Sequence, residues 1–373
     1  MKAHCFCLTR TLSLRPNFLY CFLDKHKADL SYFHRQLSQG GYHPVEIGDH
    51  FHHRYRVAHK LGHGTYSTIW LARDEIASRY VAFKIFTADS DPLETEILSQ
   101  LSESPKSSGI GTTMIPSILD RFSIQGPNGN HACLVTSPAR MSLSDAKNGS
   151  WISLFPIDVA RALEGQLATV VRYMHSKGFV HGDLHRGNIL LRTQSNFDGL
   201  STKQLYELYG EPDLEPVNRL DGQALPPGVP KHGIIPIWLG APTQRSLFEG
   251  FLTNEDDMTC QQIAALGPLP TEWWKKWEGR ENHFTNAGDP NNRATSQYKS
   301  LEDLLEMNIQ QPRIQAGMAP LELSERTALL EMLRAMRSFK PEKRPSAQQV
   351  LESEWMVKWA IPESERIRGL QGS

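Results

Sequence analysis

At 373 residues, with 39% apolar and 22% charged residues, the chain has the composition of a globular protein large enough for one two-lobed fold or two conventional domains. A formal net charge of -1 supplies no global field that would draw nucleic acid or an anionic membrane, so partners have to be read locally. Five cysteines, Cys5, Cys7, Cys21, Cys133 and Cys260, are too few for a disulfide framework, lack paired zinc spacing and suit a reducing compartment. No run approaches the roughly 18 apolar residues a spanning helix needs.

Residues 1–40 are basic, with Lys2, Arg10, Arg15, Lys25, Lys27 and Arg35 against Asp24 and Asp29. Such a start reads either as a disordered leader or, being acid-poor, as a mitochondrial transit peptide, and it is set apart from the fold. From Arg54 the pattern alternates, through Tyr55–Ala58, Leu61–Ala72 and Tyr80–Phe86, which predicts three strands. Gly62 and Gly64 at the first turn make a hairpin whose backbone N–H groups can close over phosphates. The third strand carries Val81-Ala82-Phe83-Lys84. Leu93, Ile97, Leu98 and Leu101 then predict a helix over 92–101 that also bears Glu94 and Glu96.

A Ser/Gly/Pro loop at Ser104–Gly111 precedes a second hairpin, Ile118–Ile124 with His131–Thr136 around Gly126–Asn130. Ile157, Ala160, Leu163, Leu167, Val170, Val171 and Met174 share a face of a long helix over Pro156–His175. Next comes Val180-His181-Gly182-Asp183-Leu184-His185-Arg186-Gly187-Asn188-Ile189-Leu190-Leu191, a loop between apolar flanks that spaces a carboxylate and a carboxamide five positions apart. Residues 192–244 are polar and rich in Pro and Gly. Asp221-Gly222 there lacks strand context and is rejected as a metal-binding motif. Glu255, Asp256 and Asp257 open a helix running to Leu266, where acids suit the N-terminus. Trp273, Trp274 and Trp277 read as core packing, and helices follow over Ala328–Trp359.

The H-x-D-x-x-x-x-N spacing of His181, Asp183 and Asn188, the tetrad ending at Lys84 and the Gly62-x-Gly64 hairpin resemble the eukaryotic protein kinases. Gly41-Tyr42-His43-Pro44-Val45 through Trp70-Leu71-Ala72-Arg73-Asp74 is similar to the SR-protein kinases within them, and the resemblance spans about residues 41–360. It implies an α+β, bilobal fold: an N-lobe at 50–137, a C-lobe at 140–360 with a family insert at 192–244, and a tail at 361–373. It also implies ATP and Mg2+. Leu61, Gly62, His63, Gly64 and Ser67 would form the phosphate-covering loop, with Ser67 at the place of a third glycine. Ile69, Ala82 and Thr136 would line the adenine pocket, and Ser137 and Ala139 would offer main-chain groups. Lys84, paired with Glu94 rather than Glu96, would reach the phosphates, Asp183 would be the base and Asn188 would bind one Mg2+.

The sequence departs from the family in four places. Gly182 stands for the Arg of H-R-D, and His185 for the Lys two positions after the Asp, a weaker partner for transferred phosphate. Pro236–Pro242 is followed at once by Arg245–Gly250, so the D-x-G strand, activation segment, A-P-E and buried helix are missing and the C-lobe is incomplete. Arg344 then lacks the Glu that normally pairs with it. The implied function is ATP-dependent phosphorylation of Ser or Thr in Arg/Ser-rich proteins such as splicing factors, for which residues 255–257 could supply an acidic groove. We expect a monomer of the cytoplasm and nucleus, or of mitochondria if the leader is a transit peptide, with no direct nucleic-acid or membrane partner. With the main metal ligand missing, the chain is expected to be nearly inactive. The alternatives are a pseudokinase that binds nucleotide or protein and a gene model lacking an exon.

Overall fold

The structure is a computed structural model and describes residues 39–91, 93–102, 110–148, 153–192, 198–218, 223–225, 229–234, 255–285 and 299–371. Residues 1–38 of the leader, the Asp221-Gly222 pair and the junction at 235–254 lie outside them, whereas Gly40 is bonded into the fold through Asn128 and Asp89. The chain forms two compact units, Met1–Leu143 with Gly182–Leu239 and Ser144–His181 with Gly240–Ser373. Among the described residues no helix is long and apolar enough to cross a membrane.

The first unit is built on an antiparallel sheet. Its strands are β1 (His50–Phe51), β2 (Tyr55–Gly64), β3 (Ser67–Asp74), β4 (Arg79–Phe86), β5 (Ile118–Gly126) and β6 (Gly129–Thr136), in the order β1-β2-β3-β4-β6-β5. Successive side chains point to opposite faces. Trp70, Ala72, Val81, Phe83, Ile85, Cys133 and Val135 therefore form the core on one face. Ile69, Leu71, Ala82, Lys84 and Thr136 are left on the other. Phe83 has no exposed surface and stacks on both Tyr55 and Phe122, with ring centroids at 5.9 and 5.7 Å, while those two rings also stack on each other at 5.7 Å. Burying a ring of that size contributes about 2 kcal/mol or more. Burial alone would raise the fully buried Asp74 carboxyl. Hydrogen bonds from Arg54, at 2.8 and 2.9 Å, and from the Ala77 amide outweigh that and hold it below the usual carboxylate range.

Past β4 the chain enters the Leu93–Ser102 helix. β7 (Ala139–Ser142) then pairs antiparallel with β8 (Leu190–Arg192), which brings the stretch after Gly182 into the first unit. The insert joins the same unit, although the motif-based division placed it within the large lobe. Its helix Thr202–Tyr209, opened by a capping box of Ser201 and Gln204, buries Leu205 against Ala58, Leu71 and Tyr80. β9 (Leu214–Pro216) and β10 (His232–Ile234) add Ile234 to the sheet's core. There the Glu46 carboxylate accepts the Lys231 and His232 amides at 2.5 and 3.2 Å.

The second unit is helical. The predicted long helix spans Ile157–Ser176, but the face it buries carries Ala162, Gly165 and Tyr173. A Cβ on Gly165 would stand 2.8 Å from the Ala360 carbonyl oxygen, so glycine is what lets the Met356–Ala360 turn approach. The predicted apolar stripe from Ile157 to Met174 is only partly buried along its whole length. Two further clusters close the unit, one of Ala328, Met332, Val350, Trp355 and Met356, the other of Leu301, Leu305, Leu321 and Leu330. Gln310 and Arg313 are buried with partners: Gln310 exchanges hydrogen bonds with the Leu321 backbone, and Arg313 donates to the carbonyls of Ala319 and Phe155.

Trp274, Trp277 and Phe284 pack edge to face at 5.4 to 5.9 Å, whereas Trp273 is 42% exposed and touches Phe339. Asp256 accepts the Trp277 indole N–H at 2.5 Å, which gives at least one of the three acids at this helix start a structural partner. Arg344 lies at the surface, where it donates to the Ser338 carbonyl at 2.7 Å, so the residue that lost its family partner avoids the cost of an unpaired buried charge.

Candidate active site

The glycine-rich hairpin is the turn between β2 and β3, with Gly62 opposite Ile69, His63 opposite Thr68 and Gly64 opposite Ser67. A Cβ placed on Gly62 or Gly64 would meet nothing within 4 Å. That open space admits phosphate oxygens to the backbone, so the hairpin fits a nucleotide triphosphate. Ser67 is buried and His63 is exposed.

Lys84, in the register of Ile69 on β3 and Leu134 on β6, extends from the face opposite the core. Its Nζ forms an ion pair with Glu94 Oε1 of the Leu93–Ser102 helix. Glu96, two residues on, is turned about 200° round the helix and cannot share that geometry. Ala82 and Thr136 are direct register partners beside Lys84, and Ile69 follows on β3. Leu61 on β2 is partly buried against the cluster that holds Leu205 of the insert helix. Ser137 lies exposed in the connection after β6, and Ala139 opens β7.

In the loop before β8, Gly182 has φ 77°, a left-handed conformation that an arginine side chain would strain. The usual Arg is replaced by the residue this backbone favours. Asn188 Nδ2 donates to the Asp183 carbonyl at 2.9 Å and to its Oδ2 at 3.1 Å. One carboxylate and one carboxamide are thereby fixed side by side. The Gly187 amide donates to His185 Nδ1 at 3.1 Å, which puts the ring proton on Nε2, 3.8 Å from Asp183 Oδ2. Among the described residues no group of three or more His, Cys, Asp or Glu is placed to hold a metal ion.

Sequence reasoning missed how the insert bears on this face. Tyr206 donates its hydroxyl to the Ala58 carbonyl at 2.7 Å, and Asp198 accepts the Tyr80 amide at 2.7 Å. Leu200, Leu205 and Tyr206 were visible as apolar residues in a polar segment. The strand they cover could not be read from them.

A β-rich unit with an open glycine hairpin, a Lys–Glu ion pair and an Asp–Asn loop, joined in one chain to a helical unit, defines the bilobal protein-kinase fold. Residues 55–201 match the protein kinase domain family. A serine/threonine protein kinase of Aspergillus fumigatus is 26% identical over 369 residues, covering 86% of this chain and 89% of that protein. The protein kinase dsk1 of Schizosaccharomyces pombe is 37% identical over 41% of this chain and 29% of its own length. SRSF protein kinase 3 of Homo sapiens is 34% identical over 42% and 29%. Residues 55–201 thus carry a protein kinase domain, and the chain is similar to SR-protein kinases. Its class uses ATP with a divalent metal and phosphorylates protein.

Proposed function

We propose that the chain is a serine/threonine kinase of Arg/Ser-rich proteins, working with ATP and Mg2+ as a monomer in cytoplasm and nucleus. The observation that carries this is the pair of contacts Lys84–Glu94 and Asp183–Asn188, formed within one unit alongside the open hairpin. Lys84, held by Glu94, orients the α- and β-phosphates. Leu61, Gly62, Gly64 and Ser67 belong to the loop that covers them, and Ile69, Ala82 and Thr136 surround the base. Asp183 accepts the proton of the substrate hydroxyl, and Asn188 Oδ1 is the metal ligand. The metal, when bound, neutralises charge developing on the transferred phosphoryl group. With no D-x-G after residue 192, the second ligand set is lacking and transfer is slow. Radiolabel incorporation into an Arg-Ser peptide, abolished by Asp183→Asn, is the test.

The missing D-x-G favours one second reading, a pseudokinase that holds nucleotide or protein without transfer. Binding of an ATP analogue with no Asp183-dependent labelling would support it. Sequencing the transcript across the codons for Ala241–Leu247 decides whether the junction itself is genuine.

A further inference from the structure

Ahead of the kinase-family match at residue 55 runs a segment whose burial is out of keeping with a linker. Tyr42 is 3% exposed and Val45 is 3% exposed. The segment is bonded on both sides. The Gly40 amide donates to the Asn128 carbonyl at 2.8 Å, and Asn128 Nδ2 donates to the Tyr42 carbonyl at 2.7 Å. From the other side the amides of Ala88 and Asp89 donate to Gly41 and Gly40, each at 3.0 Å. It is thus clamped between the β5–β6 turn and the exit of β4.

From this anchored position the Tyr42 hydroxyl reaches the tip of the glycine hairpin, 2.6 Å from the Gly64 carbonyl oxygen and 2.9 Å from that of Thr65. One hydroxyl proton is shared between two successive carbonyls. A third, that of Tyr66, accepts the Thr87 amide at 2.9 Å. In a trans peptide the carbonyl and the next residue's N–H point in opposite directions within one rigid plane. Drawing the Gly64 and Thr65 carbonyls toward Tyr42 therefore turns the Thr65 and Tyr66 N–H groups the other way. The geometry points to Tyr42 as a positioning residue: a strut that sets the peptide planes of the hairpin tip so that its amides face the nucleotide phosphates.

The two-residue turn Thr65-Tyr66 follows Gly64, which has many conformations available, and an unbraced tip spends part of its time with its amides misdirected. The strut removes that freedom from a buried, rigid anchor, which preorganises the loop before nucleotide arrives. Adenine, held by the sheet face around Ala82 and Thr136, does not depend on the tip. The strut therefore acts on phosphate affinity and leaves base affinity alone.

This inference rests on the nucleotide-binding reading above, and the test separates the two. In the full chain, Tyr42→Phe keeps the packed ring and deletes only the hydroxyl. Without nucleotide, hydrogen exchange at residues 62–67 should accelerate about three- to tenfold, the effect of one ordinary hydrogen bond, with the β4 and β6 amides unchanged. By calorimetry, affinity for adenylyl imidodiphosphate should fall by about the same factor while that for adenosine stays constant. Unchanged exchange at the tip, or equal weakening of both ligands, overturns the strut. If the unmutated chain binds neither ligand, the nucleotide reading fails, and the exchange comparison still decides whether Tyr42 braces the tip. Should Tyr42→Phe not fold, Asn128→Ala loosens the same segment and carries the same expectations.

Discussion

The carboxylate of Glu325, which has no exposed surface, accepts two parallel hydrogen bonds from Arg161, at 2.8 Å to Oε1 and 2.5 Å to Oε2. The pair joins the Ile157–Ser176 helix to the Leu323–Met336 helix across 164 residues of sequence. Planar bidentate geometry of this kind is what makes an arginine pair worth more than its charge alone. Removing one partner leaves the other desolvated. Glu325→Ala should lower the unfolding free energy of the second unit by about 3 kcal/mol, measured by urea denaturation, and the Arg161→Ala/Glu325→Ala pair should cost clearly less than the sum of the singles. Additive losses would show that the two residues act separately.

The same helix exposes more apolar surface than its spacing would suggest. Ile157, Leu163, Leu167, Val170 and Met174 remain partly exposed, whereas Val57, Val81, Phe83 and Val135 in the sheet unit are 2% exposed or less. The absence of the buried helix that the resemblance implies would account for this, since four large side chains contribute roughly 6–12 kcal/mol of burial. Amides in Ile157–Ser176 and Leu323–Met336 should exchange faster than those of β2 to β4. Equal protection would mean that the unit has closed by another route.

Lys84→Ala should weaken an ATP analogue about tenfold or more by calorimetry, because the loss takes away a charge-assisted contact to phosphate and leaves Glu94 facing the same anion. Glu94→Gln should weaken it less, since it frees the lysine without deleting it. Binding that ignores both changes would remove the hairpin as the nucleotide site.

Acid should unfold the sheet unit through its histidines. Burial, helped by the neighbouring His131 ring, lowers His43 to about 4, and burial also lowers His59 and His131. Each is neutral in the native state and more basic once unfolded, so the stabilisation is complete above about pH 6.5 and is lost as pH falls toward 4. His43 alone should account for about 2 kcal/mol between pH 7.5 and 5. The Nδ1 of His43 and Nε2 of His131 are buried without hydrogen-bond partners, so a proton at either atom would meet no acceptor. Denaturant titrations of the native chain and of His43→Asn at the two pH values test this, with the variant expected to show the smaller difference.

The strands at Tyr55–Phe86, the hairpin at 118–136, the helix after Pro156 and the spaced pairs Gly62/Gly64 and Asp183/Asn188 could be read from the chain alone. Each rests on a local rule, a period of two or 3.6 residues or a fixed offset within one loop, that neighbouring residues satisfy by themselves. Glu94 is preferred to Glu96 in the sequence through the resemblance alone, by its match to the family's E-x-x-I-L pattern. What only the tertiary structure decided is where distant segments come to rest: Leu205 on Ala58 and Leu71, Arg161 on Glu325, and the Tyr42 hydroxyl on Gly64. Those contacts join residues 22 to 164 positions apart and depend on the path of everything between them. The burial of the Ala162–Gly165 face in place of the more apolar stripe was decided the same way, by the close backbone approach at Ala360 that glycine alone permits.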